Sequence, residues 1–399
     1  MHQNKGHKLT IGLVLSTVPK YSETFFRNKI KGLQANGFEV ILFVDYATAH
    51  DDDFLCDCVV APNFGKSKLT SISYSIASLF KSLFKHPKRS YKLFKLDKQD
   101  GLSFNKCFRN LIVNEFLLTR DLDWLHFGFG MLSVNRENIA KAIGAKMAVS
   151  FRGFDLYLSP LKHQACYKYL FQKAVKYHVL SNEMKTDLTA YHISEKQIEV
   201  IPPAIDVNVF QTDKKQSIND NVIQLVTVAR LHWKKGLEYT LEALQLLKEK
   251  GVKFHYTIIG DGSEYERLIF AAYQLGLKDH VTFKGKLPQI EVKHCLEQSD
   301  IYLQYSIQEG FCNAVLEAQA MGLMTIVSNA EGLSENVLDG QTGWVVPKRQ
   351  PRVLAEKIEA VIQMNQNEKQ AIRTFAISRV REEFNLKKQN TAFVKFYED

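Results

Sequence analysis

Cysteine is scarce in this 399-residue chain: there are six, at 56, 58, 107, 166, 295 and 312. None forms a C-x-x-C pair or joins histidines at zinc-ligand spacing, which excludes a disulfide-stapled miniprotein and a structural zinc module and fits a reducing cytoplasm. No apolar run reaches 18 residues, so no membrane-spanning helix is expected. Leu9 to Val18, behind Lys5 and Lys8, lacks an A-x-A cleavage signal and runs into Pro19 and an amphipathic pattern, as the first buried strand of an α/β domain does. Gly260-Asp-Gly262 lacks the third glycine of a dinucleotide fingerprint, so it reads as a tight turn and not as an NAD site. No nucleic-acid recognition module is present.

The composition, 45% hydrophobic and 24% charged, is that of a soluble globular protein long enough for two domains, each with its own core. Its unusual bulk property is a net charge of +9, which suggests an acidic partner: nucleic acid, an anionic membrane or a phosphorylated substrate. The basicity is local. Residues 1–200 carry 28 basic and 18 acidic side chains, against 24 and 25 in residues 201–399. Between Lys66 and Lys98 nine basic residues face Asp97 alone. Ile72, Ile76, Leu79, Phe80, Leu83 and Phe84, then Tyr91, Leu93 and Phe94 beyond Pro87, interleave with those cations at helical spacing. This predicts a helix, a break at Pro87 and a second short helix with apolar and cationic faces. Such a pair either covers a sheet with a solvated lysine face or docks on an anionic membrane surface through 66–98. Nucleic acid is disfavoured as a partner.

Strand and helix patterns alternate. Leu9 to Leu15 is a buried strand, Glu23 to Ala35 a helix with Ser22 as candidate N-cap, and Glu39 to Val44 a second strand. Trp124 to Phe127, Met147 to Ser150 and Tyr177 to Leu180 continue the series. Ile-Pro-Pro-Ala-Ile-Asp from Ile201 breaks the rhythm, and Gln211 to Asn221 reads as a surface excursion. The alternation restarts with strands Ile223–Val228, Lys253–Ile259, Val281–Phe283, Ile301–Tyr305 and Thr325–Val327, separated by helices at 237–250, 264–275, 290–298 and 314–321. The fold class is therefore α/β: two doubly wound Rossmann-like domains with parallel sheets, 1–203 (plus 385–399) and 204–384. Ligands in such sheets bind beyond the carboxyl ends of the strands, so chemistry is expected in a cleft between the domains.

The strongest constellation is Glu309-Gly-Phe-Cys-Asn-Ala-Val-Leu-Glu317-Ala-Gln-Ala-Met-Gly322. A strand feeds a loop and then a helix whose free N–H groups and positive dipole end suit a diphosphate. Glu309 in the loop and Glu317 about one turn into the helix can accept hydrogen bonds from sugar and ribose hydroxyls; alternatively Glu309 only favours the helix terminus and Glu317 is solvated. Arg230 and Lys235, after the strand Ile223–Val228, can neutralise a diphosphate and stabilise it as a leaving group.

Together Val228-Ala-Arg230-Leu-x-x-Lys-Lys235-Gly, Ile259-Gly-Asp-Gly, Phe283-x-Gly285, Ser299-Asp300-Ile-Tyr-Leu, Glu309-Gly-Phe, Glu317-Ala-x-Ala-x-Gly322 and Gly340-x-x-Gly343 resemble glycosyltransferase family 4, the retaining GT-B enzymes. The amino-terminal half matches more loosely. Its Pro19-x-x-Ser22-Glu23-Thr24-Phe25, His126-Phe-Gly128 and Ser150-Phe-Arg152-Gly153-Phe-Asp155 are similar to members that build colanic acid and other bacterial exopolysaccharides.

The resemblance implies transfer of a sugar from a nucleotide diphosphate sugar (UDP or GDP) to a hydroxyl of a growing, lipid-linked surface polysaccharide, a hexosyltransferase of the EC 2.4 class. Arg230 and Lys235 would hold the diphosphate, Glu317 the ribose and Glu309 the sugar hydroxyls. Amides of Gly310, Phe311, Cys312 and Asn313 would close on sugar and phosphate, and Gly260 and Gly285 would line the nucleotide site. Many members have His where this chain has Arg152, near the acceptor. Arg cannot act as a base at neutral pH but could bind an acidic acceptor or a phosphate, with Asp155 beside it. His126 is either structural or catalytic. Asp121-Leu-Asp123 precedes a strand instead of following one, so it is not taken as a metal-binding D-x-D; no essential metal or cofactor is expected. In the family the carboxy-terminal tail, here the amphipathic Phe375 to Tyr397, returns to the first domain. The expected location is cytoplasmic, with the inner face of the cell membrane as the peripheral alternative. A nucleotide-sugar epimerase of the same fold and a non-catalytic sugar-binding protein are the competing readings.

Overall fold

The computed structural model describes residues 8–19, 24–46, 55–65, 68–212 and 222–398. The N-cap candidate Ser22, Glu23, Lys5, Lys66 and most of the excursion at 211–221 lie outside the described residues.

The chain divides into two compact units, Met1–Val179 with Lys185–Ile201 and Asn390–Asp399, and Leu180–Met184 with Pro202–Gln389. Relative to the expected 1–203 and 385–399, the second unit takes in residues 180–184, 202–203 and 385–389. A carboxylate explains the first shift: Glu335 accepts from the amides of Asn182 and Glu183, both at 2.9 Å.

The first unit is built on seven parallel strands: β1 (Thr10–Thr17), β2 (Glu39–Tyr46), β3 (Cys58–Val60), β4 (Trp124–Phe127), β5 (Lys146–Ser150), β6 (Val175–Val179) and β7 (Ile198–Val200). Their order is β3-β2-β1-β4-β5-β6-β7, so the sheet reverses its winding between β1 and β4. Val14, Leu42, Phe43, Leu125, Ala148 and Val149 are fully buried, as expected of strands covered on both faces. The helix Thr24–Ala35 buries Phe26, Ile30 and Leu33 against this sheet. Phe393, Phe396 and Tyr397 complete the same core.

The predicted pair of helices is present as Lys68–Lys85 and Pro87–Gln99, with Pro87 in the first turn, where its missing N–H costs nothing. The pair packs differently from a sheet cover. Its inward contacts go to the helix Phe104–Val113: Ser78 Oγ donates to the Ile112 carbonyl (2.6 Å) and Ser82 Oγ to that of Leu111 (3.1 Å). Small hydroxyls therefore sit at the helix contact, while Ile72, Ile76, Phe80, Phe84 and Tyr91 are exposed, Phe84 to 74%.

The second unit has six parallel strands: β8 (Ile223–Val228), β9 (Phe254–Ile259), β10 (Val281–Phe283), β11 (Ile301–Gln304), β12 (Met324–Ser328) and β13 (Trp344–Val346). They run β10-β9-β8-β11-β12-β13, reversing between β8 and β11. The expected continuous helix from Phe375 to Tyr397 is two helices, Gln366–Glu383 and Leu386–Glu398. The chain breaks where Phe384 O accepts from Ile205 N (3.0 Å), a backbone bond a continuous helix could not make.

Candidate active site

Site chemistry in the second unit collects where its winding reverses. Immediately after β8, Leu231 N donates to Asp261 O (3.0 Å), and a single 3-10 turn, Trp233–Lys235, follows. Gly236 ends that turn at φ +61°, and a Cβ there would strike the Tyr305 carbonyl. Only glycine allows this approach and this backbone together. The loop after β11 is clamped to the same turn, since Ile307 N donates to Lys234 O at 2.7 Å. Gly236 and that bond bring Lys235 and Glu309 together, and their side chains form an ion pair, 10% and 12% exposed. Burial opposes the charge on Lys235, but the Glu309 carboxylate outweighs it and holds the ammonium pKa above its usual value. Arg230 is exposed and has no ion-pair partner among the described residues.

The loop is held from the other side by residues the sequence reading did not single out. Glu331 accepts from Glu309 N (2.8 Å) and pairs with Lys348 (3.2 Å). Asn336, fully buried, accepts from Cys312 N (2.9 Å) and donates to Cys312 O (3.1 Å). These contacts correct the expected amide cradle: the Cys312 N–H is already bound within the protein and is not available to a ligand. The Cys312 thiol is buried and its pKa is pushed up to about 12, so it is no nucleophile at neutral pH. Phe311 turns its ring to Phe384 (centroids 5.6 Å apart), which leaves only its backbone for a ligand. The signal that could have found Glu331 and Asn336 is their place, just after β12 at the same end of the sheet.

Asn313–Ala320 is a helix, with Glu317 in its second turn and partly buried; burial pushes the Glu317 carboxyl up to about 7. Beneath the loops a fully hydrogen-bonded chain fixes the strand ends: Tyr302 OH donates to Gln304 Oε1 (2.9 Å), Gln304 Nε2 to Ser306 Oγ (2.8 Å) and Ser328 Oγ to Ser306 O (2.5 Å). Gly260 N donates to Gly285 O (2.8 Å), and a Gly260 Cβ would meet the Ala229 carbonyl, so these glycines bring the β8, β9 and β10 loops together.

The candidate residues of the first unit are placed otherwise. His126 is wholly buried within β4, which corrects its candidacy for catalysis: no substrate reaches it. It belongs to a directed chain. His178 Nε2 donates to Ile201 O (2.9 Å), so its Nδ1 accepts from Ser150 Oγ (2.8 Å), which accepts from His126 Nε2 (2.7 Å). His126 Nδ1 is then the acceptor for Tyr397 OH (2.5 Å), with Lys29 Nζ 3.4 Å away. Burial holds both histidines neutral, well below the usual imidazole pKa, and depresses Lys29 strongly. Arg152 lies against three rings, Phe25, Phe26 and Phe129, at 4.2, 4.9 and 5.4 Å. Asp155 is buried, accepts from Met131 N (3.3 Å), and has its pKa pushed up to about 6 by burial. Asp121 pairs with Arg89, and Asp123 accepts from Thr10 N (2.8 Å) at the start of β1, so both carboxylates serve the fold.

Two parallel α/β units, with an acid-paired lysine at the winding reversal of the second, are the arrangement to be set beside known proteins. Residues 209–378 match the family Glycosyl transferases group 1, and the protein is a glycosyltransferase carrying a domain of that group. It is 26% identical to the Escherichia coli protein named colanic acid biosynthesis glycosyltransferase WcaL, over 94% of this chain and 96% of that one. It is 29% identical to the amylovoran biosynthesis glycosyltransferase AmsK of Erwinia amylovora, over 66% and 67%. The fold is that of solved GT-B glycosyltransferases. Anabaena HepE, solved with UDP and glucose, superposes with a TM-score of 0.72 at 15% identity over 98% of this chain and 99% of its own. A Rickettsia africae glycosyltransferase gives 0.71 at 18% identity, covering 98% of each chain.

Proposed function

We propose that this enzyme transfers a sugar from a nucleotide diphosphate sugar, UDP- or GDP-linked, to a hydroxyl of a lipid-linked bacterial exopolysaccharide, with retention of anomeric configuration. The observation that carries the reading is the Lys235–Glu309 pair at the β8/β11 reversal, with Arg230 exposed beside it and Glu317 on the following helix. Without donor, the two buried charges neutralise each other. An arriving diphosphate takes Lys235 and Arg230, and Glu309 is released to accept from the sugar hydroxyls. Glu317 accepts from the ribose. As the glycosidic bond breaks, negative charge grows on the departing phosphate, where the two cations and the helix N-terminus stabilise it. The same phosphate can take the proton of the attacking hydroxyl, so the reading needs no enzymic base and no essential metal; turnover should persist in EDTA. The names of WcaL and AmsK, which refer to colanic acid and amylovoran, support the polysaccharide, and HepE with UDP supports the donor class.

The reading places the enzyme in the cytoplasm, at the inner face of the membrane. No described helix is long and apolar enough to cross a bilayer. The helices 68–99 instead leave Ile76, Phe80, Phe84 and Tyr91 exposed among Lys81, Lys85, Lys88 and Lys92, a combination that fits an anionic surface.

A donor screen by UDP or GDP release with lipid-diphosphate acceptors tests the reaction, with the anomeric configuration of the product read by NMR. Acceptor-independent conversion of the donor to its epimer would replace the reading with epimerisation. Sedimentation with phosphatidylglycerol and phosphatidylcholine vesicles tests the surface, and equal binding to both would reject it.

A further inference from the structure

The first unit has a cavity of about 590 Å³ at the amino ends of three adjacent strands, the end opposite to that at which a doubly wound sheet binds its ligands. Trp124, Lys146 and Val175 are the first residues of β4, β5 and β6, and all three line it. The short helix Ile139–Ile143 and the turn Glu195–Gln197 add walls through Ala140, Lys141 and Gln197. The volume is that of a small-molecule site. Its lining is of two kinds. Ala140, Ala145, Met147, Ala174 and Val175 join the indole of Trp124 in an apolar surface, where the unbranched Met147 can fit an irregular hydrocarbon. Four lysines, 141, 146, 173 and 176, stand against a single acid, Glu137.

The way each charge is held decides what the cavity can take. Lys173 is spent on Asp100 (2.6 Å), whose carboxylate also accepts from Asn138 Nδ2 (2.6 Å) and so fixes that edge. Glu137 is hydrogen-bonded to the backbone at Asn135 and at its own amide. The other lysines are placed by groups that orient an ammonium without neutralising it. Lys146 Nζ lies 5.0 Å from the centre of the Trp124 ring. Lys176 Nζ donates to Phe396 O (2.8 Å) and lies 4.8 Å from the centre of that ring. Lys141, Lys146 and Lys176 have no ion-pair partner among the described residues. Uncompensated cations around an apolar cavity concentrate positive potential inside it. They are lysines, point charges that suit a carboxylate or a single phosphate, and the site has no planar fork for paired oxygens.

We propose that this cavity is a second, non-catalytic binding site of the first unit and that it takes an amphipathic anion: an aliphatic chain against the alanines and Met147, its carboxylate or phosphate among Lys141, Lys146 and Lys176. The site stands apart from the sugar transfer proposed above. Lys176 and Trp124 also hold the last turn of the helix Leu386–Glu398, through Phe396 O and Tyr397 O, so an occupant braces the wall that closes this core. The test is calorimetric titration of the full chain, below micelle-forming concentrations, with dodecanoate, dodecyl phosphate, dodecyl maltoside and inorganic phosphate. The first two should bind about tenfold or more tightly than the last two and raise the unfolding temperature. Whichever of the two binds more tightly names the head group. Lys141→Glu with Lys146→Glu, both exposed, should lose that advantage, and so should Ala174→Phe, which fills the apolar part from an exposed position. Lys81→Glu with Lys85→Glu, in the helices at 68–99, should bind as the parent does. The proposal is overturned if the maltoside or inorganic phosphate binds as tightly as the anionic amphiphiles, if the two cavity variants bind like the parent, or if only the helix variant loses binding.

Discussion

Among the buried lysines, Lys29 of the first unit and Lys235 of the second are treated oppositely. Lys235 meets Glu309 and keeps its charge at the mouth of a strand-end site. Lys29 has two neutral histidines, a tyrosine and the face of Phe393 around it, with Arg152 as a further positive neighbour, and burial drives its pKa down. The contrast separates a cation held charged by a carboxylate from an amine absorbed into the core. A buried cation stays charged where an anion faces it, and that anion is also what an incoming diphosphate would replace.

The comparison breaks most sharply at Lys235. Lys235→Ala should lower kcat/KM by about 10² to 10³, the scale of removing one preorganised donor to developing charge, and steady-state donor kinetics measures it. Lys29→Met should leave kcat/KM within about threefold; a loss like that of Lys235→Ala would end the distinction drawn here. Gly236→Ala sets a Cβ against the Tyr305 carbonyl at φ +61° and should cost about 1–3 kcal/mol in chemical denaturation, with activity falling alongside because Lys235 shifts.

Two smaller effects depend on pH. In the proposed ribose contact Glu317 accepts more strongly when ionised, and burial sets its carboxyl pKa at about 7. The value of kcat/KM should therefore rise through neutral pH and level off above it, and Glu317→Gln should lower donor affinity about tenfold and abolish that limb. For Lys29 the folded pKa lies below the unfolded one, so the unfolded chain binds the extra proton. Stability then rises as pH climbs toward the ordinary 10.5, by up to about 1.4 kcal/mol per unit, and Lys29→Met should remove that slope in urea titrations.

The second unit was largely legible in sequence, because Arg230, Lys235, Glu309 and Glu317 all lie in loops and a helix start directly after strands, where position implies direction. What sequence could not convey was who already occupies the backbone: the Cys312 amide goes to Asn336, 24 residues later. The first unit hid more. His126, Ser150 and His178 sit on three adjacent parallel strands, a juxtaposition that only strand order creates, and a histidine within Trp124–Phe127 looks the same whether it faces core or substrate. The basic helices were visible as helices, but their packing followed Ser78 and Ser82 instead of the apolar residues that periodicity favoured. Strands β3, β7 and β13, three residues each, went unread, while β10 of the same length was read between two helical patterns.

The helix Leu386–Glu398 has a bearing on how the protein is made. Tyr397 accepts from Trp124 Nε1 through its carbonyl (2.9 Å) and reaches His126 through its hydroxyl, contacts 273 and 271 residues apart in the chain. On the ribosome the unit translated first therefore waits, with part of its core open, until the unit translated second has emerged. At about 5–20 residues per second that interval lasts on the order of ten seconds or more, a window in which a chaperone has Phe26, Phe38 and Trp124 to hold.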